Sequence, residues 1–188
     1  MDATDVSAVL ARARQGDSEA FRTLVERHSR RAFQLAFRIT GNEQDAEDVV
    51  QESFIRAYRQ LSRFEARAHF ATWLHRIVAN CSVDLIRSRR ARYDHASTDD
   101  LEAPDEPHTA GPNPERLAAS AQIKRSVAAA MSELSPLERA AFTLRHHEGR
   151  SIAEIGRTLG LGTSATKHSV FRAVRKLRAA LEPLRGES

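Results

Sequence analysis

A basic stretch near the C-terminal end contains residue types that can bind nucleic acid. It reads GTSATKHSVFRAVRKLR, from Gly162 to Arg178, with small polar residues first and cations after them. Arginine can donate paired hydrogen bonds to guanine, serine and histidine can reach base edges, and an aromatic ring can contact a thymine methyl group. A charge run by itself is more often a solvated helix face, so the stretch has to be interpreted with its neighbours.

The surrounding residues have the pattern of a helix-turn-helix. A short helix, SIAEIGRTL, opens with a capping box formed by Ser151 and Glu154, and Gly160 follows at the turn. We expect the second helix to begin near Thr163 or Ser164, either of which can cap it. Its inward stripe is Thr166, Val170, Val174, Leu177 and Leu181, and its outward positions include Lys167, His168, Phe171, Arg172, Arg175, Lys176 and Arg178.

The charge falls into three blocks along the 188 residues. Residues 1–92 have a net charge of +4, residues 93–115 a net charge of −7, and residues 116–188 a net charge of +7. The acidic block contains four of the six prolines and almost no large apolar residues, so it cannot bury a core. We therefore predict two basic modules joined by a flexible acidic linker.

Hydrophobic periodicity predicts helices and gives no alternating strand pattern, so we expect an all-α fold with two small helical domains. In the first module, apolar stripes at helical spacing run from Phe21 to Ile39, from Ala46 to Leu61 and from Phe70 to Leu85. Asn42 is placed to cap the second of these helices, and Tyr58 is expected on its buried side.

The second module carries further helix-start and helix-stop signals. Asn113-Pro114 and the capping box from Ser135 to Glu138 both place proline at the first helical position. Gly149 lies where the helix before the helix-turn-helix should stop.

The chemistry of an enzyme is not visible in the sequence. It has no glycine-rich phosphate loop and no nucleophile motif with a positioned base, and its histidines and single cysteine, Cys81, lack metal-ligand spacing. We expect no catalytic activity, no metal and no cofactor. One cysteine, no secretory signal and no membrane span together predict a cytoplasmic protein.

Two parts of the chain resemble the extracytoplasmic-function (ECF) group of bacterial sigma factors. DAEDVVQESFIRAYRQLSRF and FATWLHRIVANCSVDLIRSRR, at Asp45–Phe64 and Phe70–Arg90, are similar to region 2. LSPLERAAFTLRHHEGRSIAEIGRTLGLG and SVFRAVRKLRAAL are similar to region 4. The resemblance implies region 2 in residues 1–92, a linker in 93–115 and region 4 in 116–188.

The resemblance implies that the protein binds core RNA polymerase and directs it to −35 and −10 promoter elements. Helix Asn42–Leu61 would dock on the clamp coiled coil of the largest polymerase subunit, and region 4 would contact the flap of the second-largest subunit. With the apolar stripe inward, three carboxylates surround one exposed isoleucine on the outer face, which suits a basic partner. The polymerase-binding residues would be Asp45, Asp48, Gln51, Glu52 and Ile55.

The same resemblance implies the DNA-contacting residues. The segment Arg63–Trp73 falls where the family captures a flipped −10 base, but Glu65 to His69 departs from the family turn, so the base is not assigned. Its aromatic residues have a core position as the alternative. The −10 residues would be Arg63, Phe64, Phe70, Trp73, Arg76, Asn80, Asp84, Arg87 and Arg90.

Region 4 would read the −35 element through Ser164, Lys167, His168, Phe171, Arg172, Arg175 and Lys176. Lys167 and Arg172 match family positions, whereas Ser169 stands where relatives often have arginine, so no −35 sequence is transferred. Family membership also implies control by an anti-sigma factor, usually membrane-anchored. The alternative is a helix-turn-helix regulator that is not a polymerase subunit, which would need a receiver or ligand domain before the second module.

Overall fold

The computed structural model describes residues 3–64, 69–95 and 125–182, and every described residue lies in a helix or a loop, as predicted for an all-α chain. Its contacts divide it into two compact units, Met1–Leu85 and Ile86–Ser188. The helices before the division are α1 Ala3–Arg14, α2 Ser18–Thr40, α3 Glu43–Gln60, a 3-10 turn at Leu61–Arg63, and α4 Phe70–His95, which continues across it. The others are α5 (residues 125–132), α6 Pro136–His146, α7 Ile152–Leu159 and α8 Thr163–Leu181.

The predicted apolar stripes form the core of the first unit. The apolar residues with no more than 2% exposure are Leu24, Leu35, Ile39, Ala46, Val49, Ala57, Leu61, Leu74 and Val78, together with three further alanines, Ala32, Ala36 and Ala79. Asn42 caps α3 as predicted, because its side chain accepts a hydrogen bond from the Asp45 amide at 2.9 Å. Helix α1 was not predicted, and it packs on α2.

Tyr58 is the exception among the predicted inward residues of α3. Its side chain is 50% exposed, so the prediction of a buried tyrosine was wrong. The ring lies against Phe21 at a centroid separation of 4.9 Å, at the rim of a groove between α2 and α3. Helical periodicity identifies a face of the helix, but it does not establish that another element covers that face.

The second unit begins its helices where the sequence predicts. Ser135 and Glu138 form the capping box of α6, and Ser151 and Glu154 form that of α7. Gly160 ends α7 in the left-handed region, at φ 65°. These caps satisfy backbone amides at both helix starts and place α7 and α8 on either side of a short turn.

Helix α8 begins at Thr163, as expected, but its cap differs from the prediction. Its N-cap is Gly162, which has no side chain to cap with, so the expected cap by Thr163 or Ser164 was wrong. Both residues lie inside the first turn because the cap is one residue earlier. Thr166 instead donates its hydroxyl hydrogen bond back to the Gly162 carbonyl oxygen at 2.9 Å.

Two predicted boundaries also shift. Helix α6 ends at His146, and Gly149 lies beyond it in the loop, with φ at 65°. Helix α4 continues to His95, so residues 93–95 of the predicted linker are helical. The remainder of the linker and the Asn113-Pro114 helix start lie outside the described residues.

The turn between α7 and α8 requires glycine at position 156. A Cβ atom at Gly156 would lie 2.7 Å from the Leu161 carbonyl oxygen and 3.1 Å from Thr166 Oγ1. The Leu161 amide also donates to the Gly156 carbonyl oxygen at 2.8 Å, so the backbone is already closed tightly at this point. The backbone after α7 and the first turn of α8 can approach α7 this closely because glycine at position 156 has no side chain.

We predict that Gly156→Ala destabilises the second unit. The strain of overpacking is about 1–3 kcal/mol, and it outweighs the gain of about 1 kcal/mol that alanine brings to a helix interior. Gly162→Ala is the matched control, because no atom lies within 4 Å of its added Cβ and its φ is −67°, so it loses only the preference for glycine over alanine at an N-cap. Denaturant unfolding of the two full-length variants measures the difference, and equal stabilities would contradict the close-approach account.

Candidate functional surfaces

Helix α8 has an apolar back and a cationic front. Thr166 and Ala173 are fully buried and Leu177 is 7% exposed, which fixes the helix on the unit's core. The opposite face leaves Phe171 63% exposed. The exposed polar residues beside it are Ser164, Lys167, His168, Arg172, Arg175 and Arg178.

Lys176 differs from the other predicted DNA-binding cations of α8. Its Nζ lies 2.7 Å from Glu138 Oε2 and 3.5 Å from the Glu133 carbonyl oxygen. Glu138 is buried, with 7% of its side chain exposed. The Lys176 charge therefore compensates a carboxylate within the unit, and its predicted part in the DNA-reading set stays a prediction.

The Glu138 carboxylate joins the start of α6 to the middle of α8. One of its oxygens accepts from the Ser135 amide at 2.9 Å as well as from Lys176. Burial opposes ionisation of this carboxyl group, but the hydrogen bonds from Lys176 and Ser135 outweigh burial and hold its pKa below the ordinary value. The ionised form of Glu138 is thus the form that the fold stabilises.

The first unit has an open groove of about 1100 Å³ between α2 and α3. Ile55 and Tyr58 stand at its edge with 39% and 50% exposure. Gln51 and Ile55 are the only two predicted polymerase-binding residues among its lining, which consists of Phe21, Val25, Ser29, Arg30, Phe33, Glu47, Val50, Gln51, Phe54, Ile55, Tyr58 and Arg59. An apolar surface of this kind with a polar rim is typical of a protein-binding site.

The outer face of α3 matches the prediction except at its first residue. Asp48, Gln51 and Ile55 are exposed and Glu52 is half-buried, whereas Asp45 is only 5% exposed. Asp45 precedes Val49 and Ser53 at four-residue steps on the buried side of the helix, so its inclusion in an outer patch was wrong. A carboxylate in the first turn is favoured by the helix dipole.

A three-residue ionic bridge links α3 to α4. Arg56 Nε donates to Glu52 Oε1 at 2.6 Å, and Arg56 Nη1 donates to Asp84 Oδ2 at 3.2 Å. The hydrogen bond to Glu52, followed by that to Asp84, raises the pKa of Arg56 above its ordinary value despite partial burial. Glu52 belongs to the predicted polymerase-binding set and Asp84 to the predicted −10 set.

Three predicted −10 residues form one aromatic cluster. The Phe64 ring lies 4.9 Å from the Trp73 ring and 6.2 Å from the Phe70 ring, centroid to centroid. Phe64 and Phe70 are each only 4% exposed, so they are core residues, and their assignment as surface DNA contacts is corrected. Trp73 is half-buried and reaches a depression of about 340 Å³ lined by Arg56, Gln60, Trp73, Arg76, Ile77 and Asn80.

The other predicted −10 residues are spread along the chain from the 3-10 turn to the end of α4. Arg63, Arg76, Asp84 and Arg87 are exposed and Asn80 is half-buried, so all five are accessible to a ligand. Residues 65–68, within the predicted base-capturing segment, lie outside the described residues.

Arg90 is placed differently from these residues. It lies in the second unit, where its guanidinium donates to the carbonyl oxygens of Ser132 and Leu134 at 3.1 and 2.8 Å. These bonds place its donors on protein carbonyl groups.

The sequence prediction missed the groove and part of the depression. The groove needs Phe21, Val25 and Phe33 of α2 beside Tyr58, and no pattern in one helix reveals how two helices leave a gap. Arg56 was detectable as a partner of Glu52, because charges four residues apart meet on a helix face. Among the described residues, no group of three or more His, Cys, Asp or Glu could hold a metal ion, and no helix could span a membrane.

We predict that Glu138→Gln destabilises the chain by about 1–3 kcal/mol, because the amide cannot replace a charged acceptor for Lys176. Because the Glu138 pKa is lowered in the fold, its contribution is complete above the range in which an ordinary glutamate titrates. It is lost as the pH falls through the lowered pKa. The control is Glu154→Gln, which alters a capping box whose glutamate side chain is 41% exposed. Equal, pH-independent losses for the two variants in denaturant titrations would contradict this account.

Comparison with known proteins gives matches to both modules of the chain. The family model for Sigma-70 region 2 matches residues 24–92, and that for Sigma-70 region 4 matches residues 124–177. The ECF RNA polymerase sigma factor SigW of Bacillus subtilis is 30% identical over 179 residues, covering 93% of this chain and 96% of that protein. The RNA polymerase sigma-H factor of Pseudomonas aeruginosa is 32% identical over 184 residues, covering 96% and 95%.

A third relative is longer than this chain. The ECF RNA polymerase sigma factor SigE of Mycolicibacterium smegmatis is 37% identical over 156 residues, which are 82% of this chain and 59% of that protein. Among solved structures, CnrH in complex with the cytosolic domain of CnrY has a TM-score of 0.62 at 30% identity, covering 96% of this chain and 97% of that chain. The sigma factor RpoE from Bartonella quintana, in complex with the anti-sigma factor NepR, shares the fold at 21% identity and a TM-score of 0.63, covering 86% and 96%.

The region 2 match decides between the two functions that the sequence left open. A helix-turn-helix regulator that is not a polymerase subunit would not carry this module ahead of its DNA-binding domain. Both modules are present, in family order, and the alignments to relatives extend across nearly the whole chain. The chain therefore belongs to the ECF RNA polymerase sigma factors, which are non-enzymatic subunits that act in transcription initiation.

Proposed function

We propose that the cationic face of α8 reads the −35 element of the promoters to which this sigma factor directs RNA polymerase. The strongest support is the two-sided character of α8, with its apolar back buried and Phe171 63% exposed on the opposite face. The proposed reading set is Ser164, Lys167, His168, Phe171, Arg172 and Arg175. Lys176 is omitted because Glu138 already holds its charge.

The spacing of these side chains suits a recognition helix. Lys167, Phe171 and Arg175 follow one another at four-residue steps, so they form a row along one face of the helix. At a rise of about 1.5 Å per residue the row is about 12 Å long, and the DNA major groove, about 12 Å wide, admits an α-helix that carries such a row. Its arginines can read guanine, and Phe171 can contact a thymine methyl group.

We propose that the α2–α3 groove and the adjoining outer face of α3 bind core RNA polymerase, at the clamp coiled coil of the largest subunit. Ile55 and Tyr58 expose apolar surface that no described residue covers. Asp48 and Gln51 lie beside Ile55 and supply an acidic and polar rim that suits a basic helical partner. Tyr58 thus joins the proposed set, and Asp45 leaves it.

We propose that the exposed side of α4 contacts the −10 element. Arg76, Asn80 and Asp84 follow one another at four-residue steps, and Arg87 continues the same side by one turn. Trp73 adds a half-exposed aromatic ring at the depression, and stacking on aromatic rings combined with arginine contacts suits unpaired bases. The Phe64 and Phe70 rings support Trp73 from the core.

The proposed modules are region 2 in residues 1–92, a linker in 93–115 and region 4 in 116–188, with region 4 also contacting the flap of the second-largest polymerase subunit. We place the protein in the cytoplasm, where polymerase and promoter DNA are found.

We also propose control by an anti-sigma factor that covers the groove when polymerase is absent. The similar protein CnrH was solved with the cytosolic domain of CnrY, which is consistent with control by a protein partner.

We predict that Arg172→Ala weakens −35-dependent transcription by about 1–3 kcal/mol, the scale of one lost bidentate base contact. Arg178→Ala is the matched control, since it removes an exposed arginine from the same helix outside the proposed reading set. In vitro transcription from a promoter with its −35 element intact or scrambled measures the effect. An Arg172→Ala enzyme that keeps full −35 dependence would remove Arg172 from the reading set.

We predict that Ile55→Ala combined with Tyr58→Ala weakens binding to core polymerase at least about tenfold, because exposed apolar side chains at the centre of an interface carry much of its affinity. The control is Phe37→Ala, since Phe37 is 41% exposed on α2 but does not line the groove. Competition against labelled wild-type chain for core polymerase measures the affinity. Equal affinities for the double variant and the control would contradict groove docking.

A further inference from the structure

Asp84 is an unusual member of a DNA-contacting row. It lies between Asn80 and Arg87 on the side of α4 that is proposed to contact the −10 element, and 56% of its side chain is exposed. A carboxylate at this position would repel the phosphates of an approaching strand. Its negative charge has to be compensated if the strand is to bind closely.

Arg56 supplies that compensation from the neighbouring helix. Its Nη1 lies 3.2 Å from Asp84 Oδ2, and its Nε lies 2.6 Å from Glu52 Oε1. The short contact with Glu52, one turn earlier on α3, orients the guanidinium plane so that its other end reaches Asp84. Glu52 therefore acts on Arg56 within this network in addition to any contact with polymerase.

The bridge contributes little to the stability of the fold. The side chains of Arg56, Glu52 and Asp84 are 38%, 45% and 56% exposed, and solvent-exposed ion pairs add little stability because water screens them. Arg22 and Glu26 form a similar four-residue pair on α2, at 3.1 Å with 69% and 65% exposure. Of these two pairs, the Arg56 pair is the one that extends to a carboxylate on the proposed DNA side.

Arg56 also forms part of the depression beside the proposed −10 row. Arg56 and Gln60 of α3 line it together with Trp73, Arg76, Ile77 and Asn80 of α4. The guanidinium that neutralises Asp84 therefore stands in the wall of the same depression as three proposed DNA contacts, Trp73, Arg76 and Asn80. A DNA strand that approaches these three contacts therefore passes close to the Arg56 charge.

We propose that Arg56 is a positioning residue for −10 recognition: oriented by Glu52, it pairs with Asp84 and prevents that carboxylate from repelling the unpaired DNA strand. The proposal rests on the proposed −10 role of α4. Arg56 acts through Asp84, so removal of the Asp84 charge makes Arg56 dispensable. This dependence separates electrostatic compensation from simple bracing of α3 against α4, in which loss of either partner would be harmful.

The test uses the full-length chain with core polymerase and a promoter mapped from transcript starts after induced expression of the wild-type chain. Opening of the −10 region is followed by fluorescence of a base analogue, and polymerase binding is measured separately by competition. Arg56→Ala is expected to slow opening about fivefold at low salt, equivalent to about 1 kcal/mol. The defect shrinks at high salt, where charges are screened, and polymerase affinity and helicity are retained.

The discriminating variant is Asp84→Asn. Compared with Asp84→Asn alone, the combination with Arg56→Ala is expected to open the promoter equally fast, because Arg56 has no carboxylate left to compensate. Arg22→Ala is the matched control for loss of a surface arginine and leaves opening unchanged. If Arg56→Ala loses helicity, Arg56→Gln and Asp84→Asn, alone and combined, form the same cycle.

The outcomes separate this inference from the proposed function. A wild-type chain that does not bind polymerase or open the promoter overturns the proposed function itself. A functional wild type with an Arg56→Ala variant that opens DNA equally well overturns the role of Arg56. A double variant that opens more slowly than Asp84→Asn alone, or a defect independent of salt, shows that the bridge only braces the helices and also overturns the proposal.

Discussion

The placement of α8 depends on two close contacts, one near its start and one further along the helix. At its start, the Leu161 carbonyl oxygen and the Thr166 hydroxyl group approach Gly156 so closely that only glycine fits. Further along, Lys176 Nζ pairs with the buried Glu138 carboxylate at 2.7 Å, which ties α8 to the capped start of α6. These two contacts orient the outer row of α8, because the Gly156 contact sets the closest approach of α8 to α7 and the Lys176–Glu138 pair restrains rotation of α8 about its axis.

The cations of the chain have different roles, depending on whether a carboxylate of the chain pairs with them. Lys176 is used to stabilise the second unit and Arg56 to compensate Asp84, so neither charge is freely available to a partner. In contrast, Arg172 and Arg175 of α8 and Arg76 and Arg87 of α4 are exposed on the proposed DNA-binding faces, where they can reach phosphates and base edges. Net charge alone would have counted all of them as equivalent contributions to DNA binding.

Local features of this fold could be predicted from the sequence because they depend on residues close together in the chain. The Asn42 cap, the two capping boxes and the turn at Gly160 each involve at most four residues. The apolar stripes of α2 and α8 likewise follow from helical periodicity. The resemblance to the sigma factors then assigned a function to each module.

The remaining features depend on contacts between distant residues. Lys176 and Glu138 are 38 positions apart, and Arg56 and Asp84 are 28 apart, so neither pair could be identified from local spacing. Tyr58 was assigned to the core because periodicity gives the angle of a side chain but not whether another element covers it. Asp45 was assigned to the surface although its spacing to Val49 and Ser53 places it on the buried side. Phe64 and Phe70 were counted as DNA contacts because aromatic residues suit both a core and a base-binding site.

The most direct measurement of the central claim is the mapping of transcript starts after induced expression of the chain, with core polymerase captured from the same cells. The account predicts that the chain is recovered with core polymerase and that the new starts share a −35 and a −10 element at fixed spacing. A chain that binds DNA but never associates with core polymerase, and that produces no new starts, would contradict it.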